Sequence, residues 1–218
     1  NSISRCDTNL HNIPIDPAIV LKIIESLDCN KAHGWDNLSI TMIKMCGIGI
    51  VNPLCLIFKE CLVTGSFPEM WKKGNILPVH KKESRQIKTN YRPISLLPIC
   101  GKIFEKVIFD VIYKHLTDNQ LLTPNQSGFR PGDSTINQLL YITHSIYTAF
   151  EDFPSRETRA VFLDISKAFD KVWHDGLIFK LKKYGITGPL LALIESYLSN
   201  RKQRVVLNGK SSQWSEII

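Results

Sequence analysis

The spacing of apolar residues along the chain predicts helices interspersed with short strands. Apolar side chains recur every three to four residues, as on one face of a helix, in the segments 17–27, 39–46, 53–63, 101–116, 133–150, 176–184 and 189–199. Short apolar runs bounded by turn residues predict strands at 74–80, 91–96, 159–165 and 203–207. Together these elements indicate a mixed fold of the α/β (α+β) class.

Several of these elements have recognisable boundaries. Asp16 followed by Pro17 is a typical helix start, because the carboxylate can cap the first turn and proline is tolerated there. Gly65 is expected to end the third helix and Asp133 to cap the fifth. A polar, basic turn joins the first two strands, which predicts a β-hairpin with cations at its tip.

The charge of the chain adds a candidate partner. The formal net charge is +7 and the isoelectric point about 9.1. The excess is concentrated, since the stretch from Lys72 to Arg92 contains seven basic residues and one acidic residue, Glu83. A basic stretch of this density favours a polyanion such as nucleic acid as the partner.

Cysteine usage and hydropathy exclude other classes of protein. The six cysteines form no CxxC pair and have no suitably spaced histidines, so we expect reduced thiols in an intracellular protein and no zinc site. No stretch reaches the roughly 18 uncharged apolar residues that a membrane span needs. The chain begins at Asn1 without the features of a signal peptide, and we expect it to be an excerpt of a longer protein.

The most informative segment is 160–172, which reads AVFLDISKAFDKV. Its apolar run ends in Asp164, and a strand can bury a charge only when something compensates it. Two interpretations are open from the residue alone. Asp164 could anchor Mg²⁺, which prefers oxygen ligands, or it could cap the next helix, which is the commoner arrangement.

The wider pattern Leu-Asp-x-x-x-Ala-Phe-Asp resembles motif A of reverse transcriptases, in the form typical of jockey-like non-LTR retrotransposons. Four upstream blocks resemble the same family in the same order. They are NKAHGWD at 30–36, WKKGNILPVHKK at 71–82, NYRPISLL at 90–97 and QSGFRPGDST at 126–135. Because the five blocks cover nearly the whole chain, it resembles the fingers and the start of the palm of such an enzyme.

This resemblance implies roles for individual residues. The motif A aspartate of the family binds the catalytic metals together with the backbone carbonyl of the next residue, which implies Asp164 and Ile165 here. Phe169 takes the place of the aromatic steric gate, which lies beneath the incoming sugar and excludes a 2′-hydroxyl. The residues implied for the nucleotide phosphates are Arg92 and either Lys81 or Lys82.

Contacts with the nucleic acid are expected from Lys88, Arg130, Arg201, Lys202 and Arg204. An ion pair within the fold stays open as the alternative for Arg130, and a solvated helix end for the run 201–204. The resemblance divides the chain into a fingers-like region, 1–157, with its hairpin near 74–97, and the beginning of the palm, 158–218.

The implied reaction is nucleotidyl transfer from a dNTP to the 3′-hydroxyl of a DNA primer on an RNA template, with Mg²⁺ or Mn²⁺. The resemblance places it in a ribonucleoprotein of the nucleus and cytoplasm. The family's later Tyr/Phe-x-Asp-Asp hairpin, which supplies the remaining carboxylates, is absent from this sequence, so we expect the chain alone to be inactive.

Two other functions remain open. One is a non-catalytic remnant or domesticated protein that only binds RNA or DNA. The other is an RNA-directed RNA polymerase, which shares the palm chemistry, although a bulky residue such as Phe169 argues against an enzyme that must admit the ribose hydroxyl.

Overall fold

The computed structural model describes residues 6–81, 83–151 and 157–217. The chain forms two compact units. The first comprises Asn1–Asn119 and His174–Ile218, and the second comprises Gln120–Trp173. The mixed α/β class predicted from the sequence is confirmed. The predicted division into fingers and palm at 157/158 concerns functional regions of a polymerase. The division into compact units does not test it, and it stays a prediction.

Helices dominate both units. The α-helices are α1 Pro17–Ser26, α2 Ile40–Met45, α3 Ile48–Thr64, α4 Ile99–Asp118, α5 Thr135–Glu151, α6 His174–Lys183 and α7 Gly188–Leu198. The strands are β1 Lys73–His80, β2 Tyr91–Leu96, β3 Lys202–Leu207, β4 Lys210–Ser211 and β5 Ser215–Glu216. The predicted helices are confirmed, with ends shifted by a few residues. No described helix is long and apolar enough to cross a membrane.

Capping residues fix the first helices where the sequence predicts them. The Asp16 carboxylate accepts a hydrogen bond from the Ala18 N–H at 2.8 Å, which caps α1. The Ser39 hydroxyl does the same for α2 by accepting from the Met42 N–H at 3.1 Å. Gly65 ends α3 with φ of 63°, a left-handed conformation that glycine adopts without the penalty of a Cβ atom.

The sheet of the first unit combines the predicted hairpin with a later strand. β1 and β2 pair antiparallel, from Asn75 opposite Leu96 to His80 opposite Tyr91. β3 lies parallel to the start of β1, and β4 and β5 pair antiparallel with β3. The hairpin is confirmed. Its parallel pairing with β3 is not visible in the sequence, because a parallel neighbour is joined through a long crossover.

Aromatic side chains form the centre of the first unit. Phe58 of α3 stacks on Phe104 of α4 with ring centroids 4.5 Å apart, and Phe67 lies 5.8 Å from Phe104. Leu190 and Leu193 of α7 are fully buried in the same cluster. The core therefore joins helices from the beginning and the end of the chain, and burying these large side chains is the main source of its stability.

A close backbone approach explains the glycine in the block NKAHGWD. A Cβ atom on Gly34 would lie 2.5 Å from the Pro98 nitrogen and 2.7 Å from the Leu97 carbonyl carbon. Both are backbone atoms at the start of α4, and they cannot move without shifting that helix. The loop at 28–38 is therefore held against α4 by the absence of a side chain at position 34.

Replacing Gly34 by alanine is expected to lower the free energy of unfolding by about 1–3 kcal/mol, the usual cost of forcing extra volume into a packed contact. Urea unfolding followed by circular dichroism measures this change. Gly49→Ala is the matched control, because nothing lies within 4 Å of a Cβ atom at that helical position. Equal stability of the two variants would contradict the close-packing explanation.

The second unit, Gln120–Trp173, contains the loop that precedes α5, α5 itself and the described residues that follow it. None of the α5 residues is buried. The helix begins at Thr135 and its cap is Ser134, whose hydroxyl accepts from the Asn137 N–H at 3.2 Å. The prediction that Asp133 caps this helix is therefore wrong by one residue; its carboxylate accepts instead from the Ser134 N–H at 2.7 Å.

The strand predicted over 159–165 is also wrong. The described residues from 157 to 165 form neither helix nor strand, and a short 3₁₀ turn follows at Phe169–Lys171. A strand requires a neighbour to satisfy its backbone groups, and within the described ranges no strand lies beside this segment. Its apolar side chains are consequently exposed, Leu163 by 91%.

Candidate functional site

The turn of the β1–β2 hairpin is held by its own polar groups. The Lys81 N–H donates to the Asn90 carbonyl at 2.9 Å, and the Asn90 side-chain amide donates to the Ser84 carbonyl at 2.9 Å. The Tyr91 hydroxyl donates to the Arg85 carbonyl at 2.8 Å. These bonds hold the described backbone on both sides of the turn, at Lys81 and at 84–91.

Four described cations of the hairpin point into solvent: Lys81, Arg85, Lys88 and Arg92. No ion pair or side-chain hydrogen bond links any of the four to another described residue. A cation without a protein partner can bind a phosphate oxygen without first breaking an internal contact. Lys82, the alternative to Lys81 in the prediction, lies outside the described residues.

Two other basic residues of this stretch serve the fold instead. Lys72 is only 3% exposed, and its Nζ lies 2.8 Å from the Glu69 carboxylate and 3.3 Å from the Ser196 hydroxyl. Lys73 lies over two indole rings, with its Nζ 5.4 Å from the centroid of Trp35 and 5.8 Å from that of Trp214. The count of seven basic residues therefore overstates the charge available to a polyanion.

The second basic run, at 201–204, is engaged within the first unit. Arg204 donates through Nε to the Asn75 side-chain oxygen at 2.8 Å, and its guanidinium lies 4.6 Å from the Trp214 ring centroid. Lys202 lies 3.7 Å from the Glu216 carboxylate. These contacts join β3 to β1 and β5, and the predicted role of Lys202 and Arg204 in nucleic-acid binding stays a prediction.

Arg201 belongs to a half-buried polar cluster between α4 and α7. Its guanidinium donates to the Tyr197 carbonyl at 3.0 Å and lies 4.7 Å from the centre of the Tyr197 ring. Burial raises the pKa of the Glu105 carboxyl, and the charge of Arg201 opposes that rise. Burial, reinforced by Glu105, raises the pKa of Tyr197 to about 12. Arg201 thus compensates a buried carboxyl, and its predicted nucleic-acid contact also stays a prediction.

The segment around Asp164 lies in the second unit. Asp164, Ile165 and Phe169 are all exposed, and Phe169 begins the short 3₁₀ turn. No hydrogen bond or ion pair joins Asp164 to another described residue, and the 3₁₀ turn has no side-chain cap. The capping interpretation of Asp164 therefore has no support from the described contacts, and the carboxylate is free to bind a cation.

Comparison with known proteins identifies the family of the chain. Residues 79–217 match the family described as reverse transcriptase (RNA-dependent DNA polymerase). The chain belongs to the reverse transcriptase family. The matched residues include the tip of the hairpin, the block QSGFRPGDST, the segment of Asp164 and the strands β3 to β5.

The relatives of this reverse transcriptase chain are proteins of mobile elements. It is 37% identical over 205 residues to the probable RNA-directed DNA polymerase from transposon BS of Drosophila melanogaster, covering 92% of this chain and 22% of the relative. It is 33% identical over 194 residues to the RNA-directed DNA polymerase from mobile element jockey of the same species, and this match covers 88% of this chain and 21% of the relative. The chain thus spans about a fifth of the length of these relatives. The predicted resemblance to jockey-like non-LTR elements is confirmed.

Reverse transcriptases act with divalent metal ions. In the described part of this chain, no three His, Cys, Asp or Glu side chains come together in a group that could hold one. Asp164 and the Ile165 carbonyl nevertheless offer the hard oxygen ligands that such ions prefer. The reverse-transcriptase segment therefore fits one part of a metal site.

Two aromatic pairs were not predicted from the sequence. Trp214 forms an edge-to-face pair with Trp35, with ring centroids 5.9 Å apart, and the Lys73 ammonium lies over these rings. Phe129, in the block QSGFRPGDST, forms an edge-to-face pair with Phe169, with ring centroids 6.2 Å apart. The partners of each pair lie far apart in the sequence, so the sequence gives no direct sign of either contact. The one available signal is the position of Trp35 and Phe129 within blocks that resemble the reverse transcriptase family.

Arg130 follows Phe129 in this reverse-transcriptase block. Its Nη1 atom is buried and has no hydrogen-bond partner in the described part of the chain, where no ion pair of Arg130 occurs either. The neighbouring Asp133 is stabilised as a carboxylate, because hydrogen bonds from the Ser127 hydroxyl and the Ser134 N–H lower its pKa. The internal ion pair considered for Arg130 is thus not observed, which leaves its predicted template contact open.

Proposed function

We propose that this chain is part of an RNA-directed DNA polymerase of a non-LTR retrotransposon, which extends a DNA primer with dNTPs on an RNA template. The observation that carries the proposal is the exposed pair of Asp164 and Phe169, five residues apart, in a segment that matches the reverse transcriptase family. The pair combines a free oxygen ligand with an aromatic ring in the position of a sugar gate.

Asp164 and the backbone carbonyl of Ile165 are the proposed ligands of Mg²⁺ or Mn²⁺. Asp164 and the Ile165 carbonyl would hold such an ion, which would supply the positive charge that offsets the negative charge developing on the triphosphate during transfer. Further carboxylates are required for a second ion, and the family supplies them from a hairpin that this sequence does not contain.

The hairpin of the fingers is the proposed phosphate-binding element. Arg92 can contact the triphosphate through two parallel hydrogen bonds, and Lys81 or Lys82 approaches the terminal phosphate as a point charge. Lys88 and Arg130 bind the sugar-phosphate backbone of the nucleic acid. The absence of internal partners for Lys81, Lys88 and Arg92 among the described residues supports this assignment, because their charge is available to a ligand.

Replacing Phe169 by valine in a complete polymerase domain that carries this segment should admit ribonucleotides. Valine removes most of the ring that lies beside C2′ of the sugar, so the ratio of kcat/KM for dNTP over NTP should fall by about tenfold or more, the discrimination that a shaped apolar contact provides. Steady-state primer extension on an RNA template measures this ratio.

Phe179→Val on α6 is the matched control, since it makes the same change at another exposed phenylalanine of the chain. A ratio that stays at the wild-type value in Phe169→Val, while the enzyme still extends with dNTPs, would show that Phe169 is not the gate. Equal use of NTP and dNTP by the wild-type enzyme would favour an RNA-directed RNA polymerase.

Binding of RNA or DNA without catalysis is the second candidate function. The observation that favours it is the set of exposed hairpin cations, which have no side-chain partner among the described residues and could bind a phosphate backbone without any catalytic residue. A protein of this kind would retain nucleic-acid affinity and show no primer extension in the complete domain. Extension that depends on Asp164 would exclude it.

A further inference from the structure

Phe129 has a backbone conformation that is unusual for an aromatic residue. Its φ is 62°, in the left-handed region where a Cβ atom meets the following carbonyl oxygen. The neighbouring turn is closed by the Arg130 N–H, which donates to the Ser127 carbonyl at 3.2 Å. A glycine would adopt this conformation without cost. A phenylalanine at this position therefore suggests that its ring makes a contact that offsets the strain.

That ring contacts Phe169. The two centroids lie 6.2 Å apart and the planes meet at 88°, the edge-to-face arrangement that attracts aromatic rings. Phe129 is 88% exposed and Phe169 80% exposed. Because both rings are largely exposed, this pair does not belong to a hydrophobic core. No other described aromatic ring is paired with Phe169.

A steric gate works only if its ring keeps one orientation. An exposed phenylalanine changes rotamer readily, and a ring that turns away opens the space beside C2′ that a ribonucleotide needs. The edge-to-face contact with Phe129 disfavours such a turn. The strained backbone at 129 fixes the direction from which the Phe129 ring approaches.

We propose that Phe129 is a positioning residue for the sugar gate: it holds the Phe169 ring in the orientation that excludes ribonucleotides. The proposal rests on the proposed function, in which Phe169 is the gate. Phe129 acts through Phe169 and does not itself contact the sugar. The two residues together, and not Phe169 alone, then determine the choice between dNTP and NTP.

The test compares four variants in a complete polymerase domain that carries this segment: Phe129→Ala, Phe129→Tyr, Phe169→Val and the double variant Phe129→Ala/Phe169→Val. Steady-state extension gives kcat/KM for dNTP and for NTP. Phe129→Ala should lower the dNTP/NTP ratio about two- to twelvefold, the factor that corresponds to one aromatic pair. The change should appear as faster use of NTP, with kcat/KM for dNTP unchanged. Phe129→Tyr retains the ring and should retain the ratio.

The double variant separates a positioning role from a general structural one. With the gate already removed by Phe169→Val, the loss of Phe129 should have no further effect on the ratio. Multiplying effects in the double variant, or an equal loss of dNTP and NTP use in Phe129→Ala, would overturn the proposal. If Phe129→Ala does not fold, Phe129→Leu should lower the ratio as well, and a wild-type ratio in that variant would overturn it too.

Failure of this inference is distinguishable from failure of the proposed function. A reduced dNTP/NTP ratio in Phe169→Val together with a wild-type ratio in Phe129→Ala would support Phe169 as the gate and would show that Phe129 does not position it. An unchanged ratio in Phe169→Val refutes the gate, and the role of Phe129 with it. No DNA synthesis by the folded wild-type domain refutes the proposed function itself.

Discussion

Replacing Asp164 by asparagine in a complete polymerase domain that carries this segment should abolish primer extension. Asparagine has nearly the same shape and keeps one oxygen, but it lacks the negative charge that holds a divalent ion. Positioning and electrostatic stabilisation provide most of the rate in phosphoryl transfer, so a loss of about a thousandfold or more is expected. Gel-resolved extension of a labelled primer on an RNA template measures it.

Asp170→Asn is the matched control for this prediction. Asp170 is exposed in the same segment, six residues further along and within the 3₁₀ turn, and the same substitution there should leave extension largely intact. The 218-residue chain by itself should leave the primer unextended, because Asp164 supplies a single carboxylate. Extension by the purified chain, or by the Asp164→Asn enzyme, would show that the metal site lies elsewhere.

Removing the hairpin cations should make nucleic-acid binding much less sensitive to salt. Each cation that neutralises a phosphate releases about 0.7–0.9 counterions, so replacing Lys81, Lys82, Lys88 and Arg92 by alanine should reduce the slope of log K against log salt by about 3. Affinity for RNA at low salt should fall by about a hundredfold or more. Fluorescence anisotropy with a labelled RNA of arbitrary sequence, at several salt concentrations, gives both quantities.

The control variant removes the same net charge from other places. Four exposed lysines on α1, α3 and α4 are replaced by alanine in this control: Lys22, Lys59, Lys106 and Lys114. Their replacement tests the effect of a lower net charge while the hairpin cations are retained. The control should retain most of the salt slope, and sequence preference should be weak in every variant because phosphate contacts do not read bases. Equal slopes in the two quadruple variants would show that net charge, and not the hairpin, binds the RNA.

Local signals made much of this fold predictable. The Asp16 cap starts α1, the Ser39 cap starts α2 and the left-handed Gly65 ends α3, and each of these signals acts within one helical turn. The start of α3 was predicted five residues too late, because the helix begins at Ile48 after Gly47, which has no side chain to cap it. The β1–β2 hairpin is likewise local, and it was predicted to within a residue. The candidate residue Asp164 was found by its family motif, since nothing in its own spacing distinguishes a ligand from a cap.

Tertiary contacts decided the rest. Lys72 resembles its neighbours in the sequence, yet its side chain is buried and donates hydrogen bonds to Glu69 and Ser196. Ser196 is remote in the chain, so the sequence does not reveal this contact. The run 159–165 has the composition of a strand, but strand formation depends on a neighbour that composition does not reveal. Phe129 could not be linked to Phe169 either, because their contact joins two loops 40 residues apart.

The parallel pairing of β1 with β3 has a consequence for how the chain is made. β2 ends at Leu96 and β3 begins at Lys202, so more than a hundred residues must be synthesised after the hairpin before its partner exists. At about 5–20 residues per second, a ribosome takes roughly 5–20 s over that interval. During it the nascent hairpin presents β1 as an open edge. Until residues 188–198 have been added, the core of α1, α3 and α4 also lacks the leucines of α7. Protection of the nascent chain is therefore needed most while residues 97–201 are being translated.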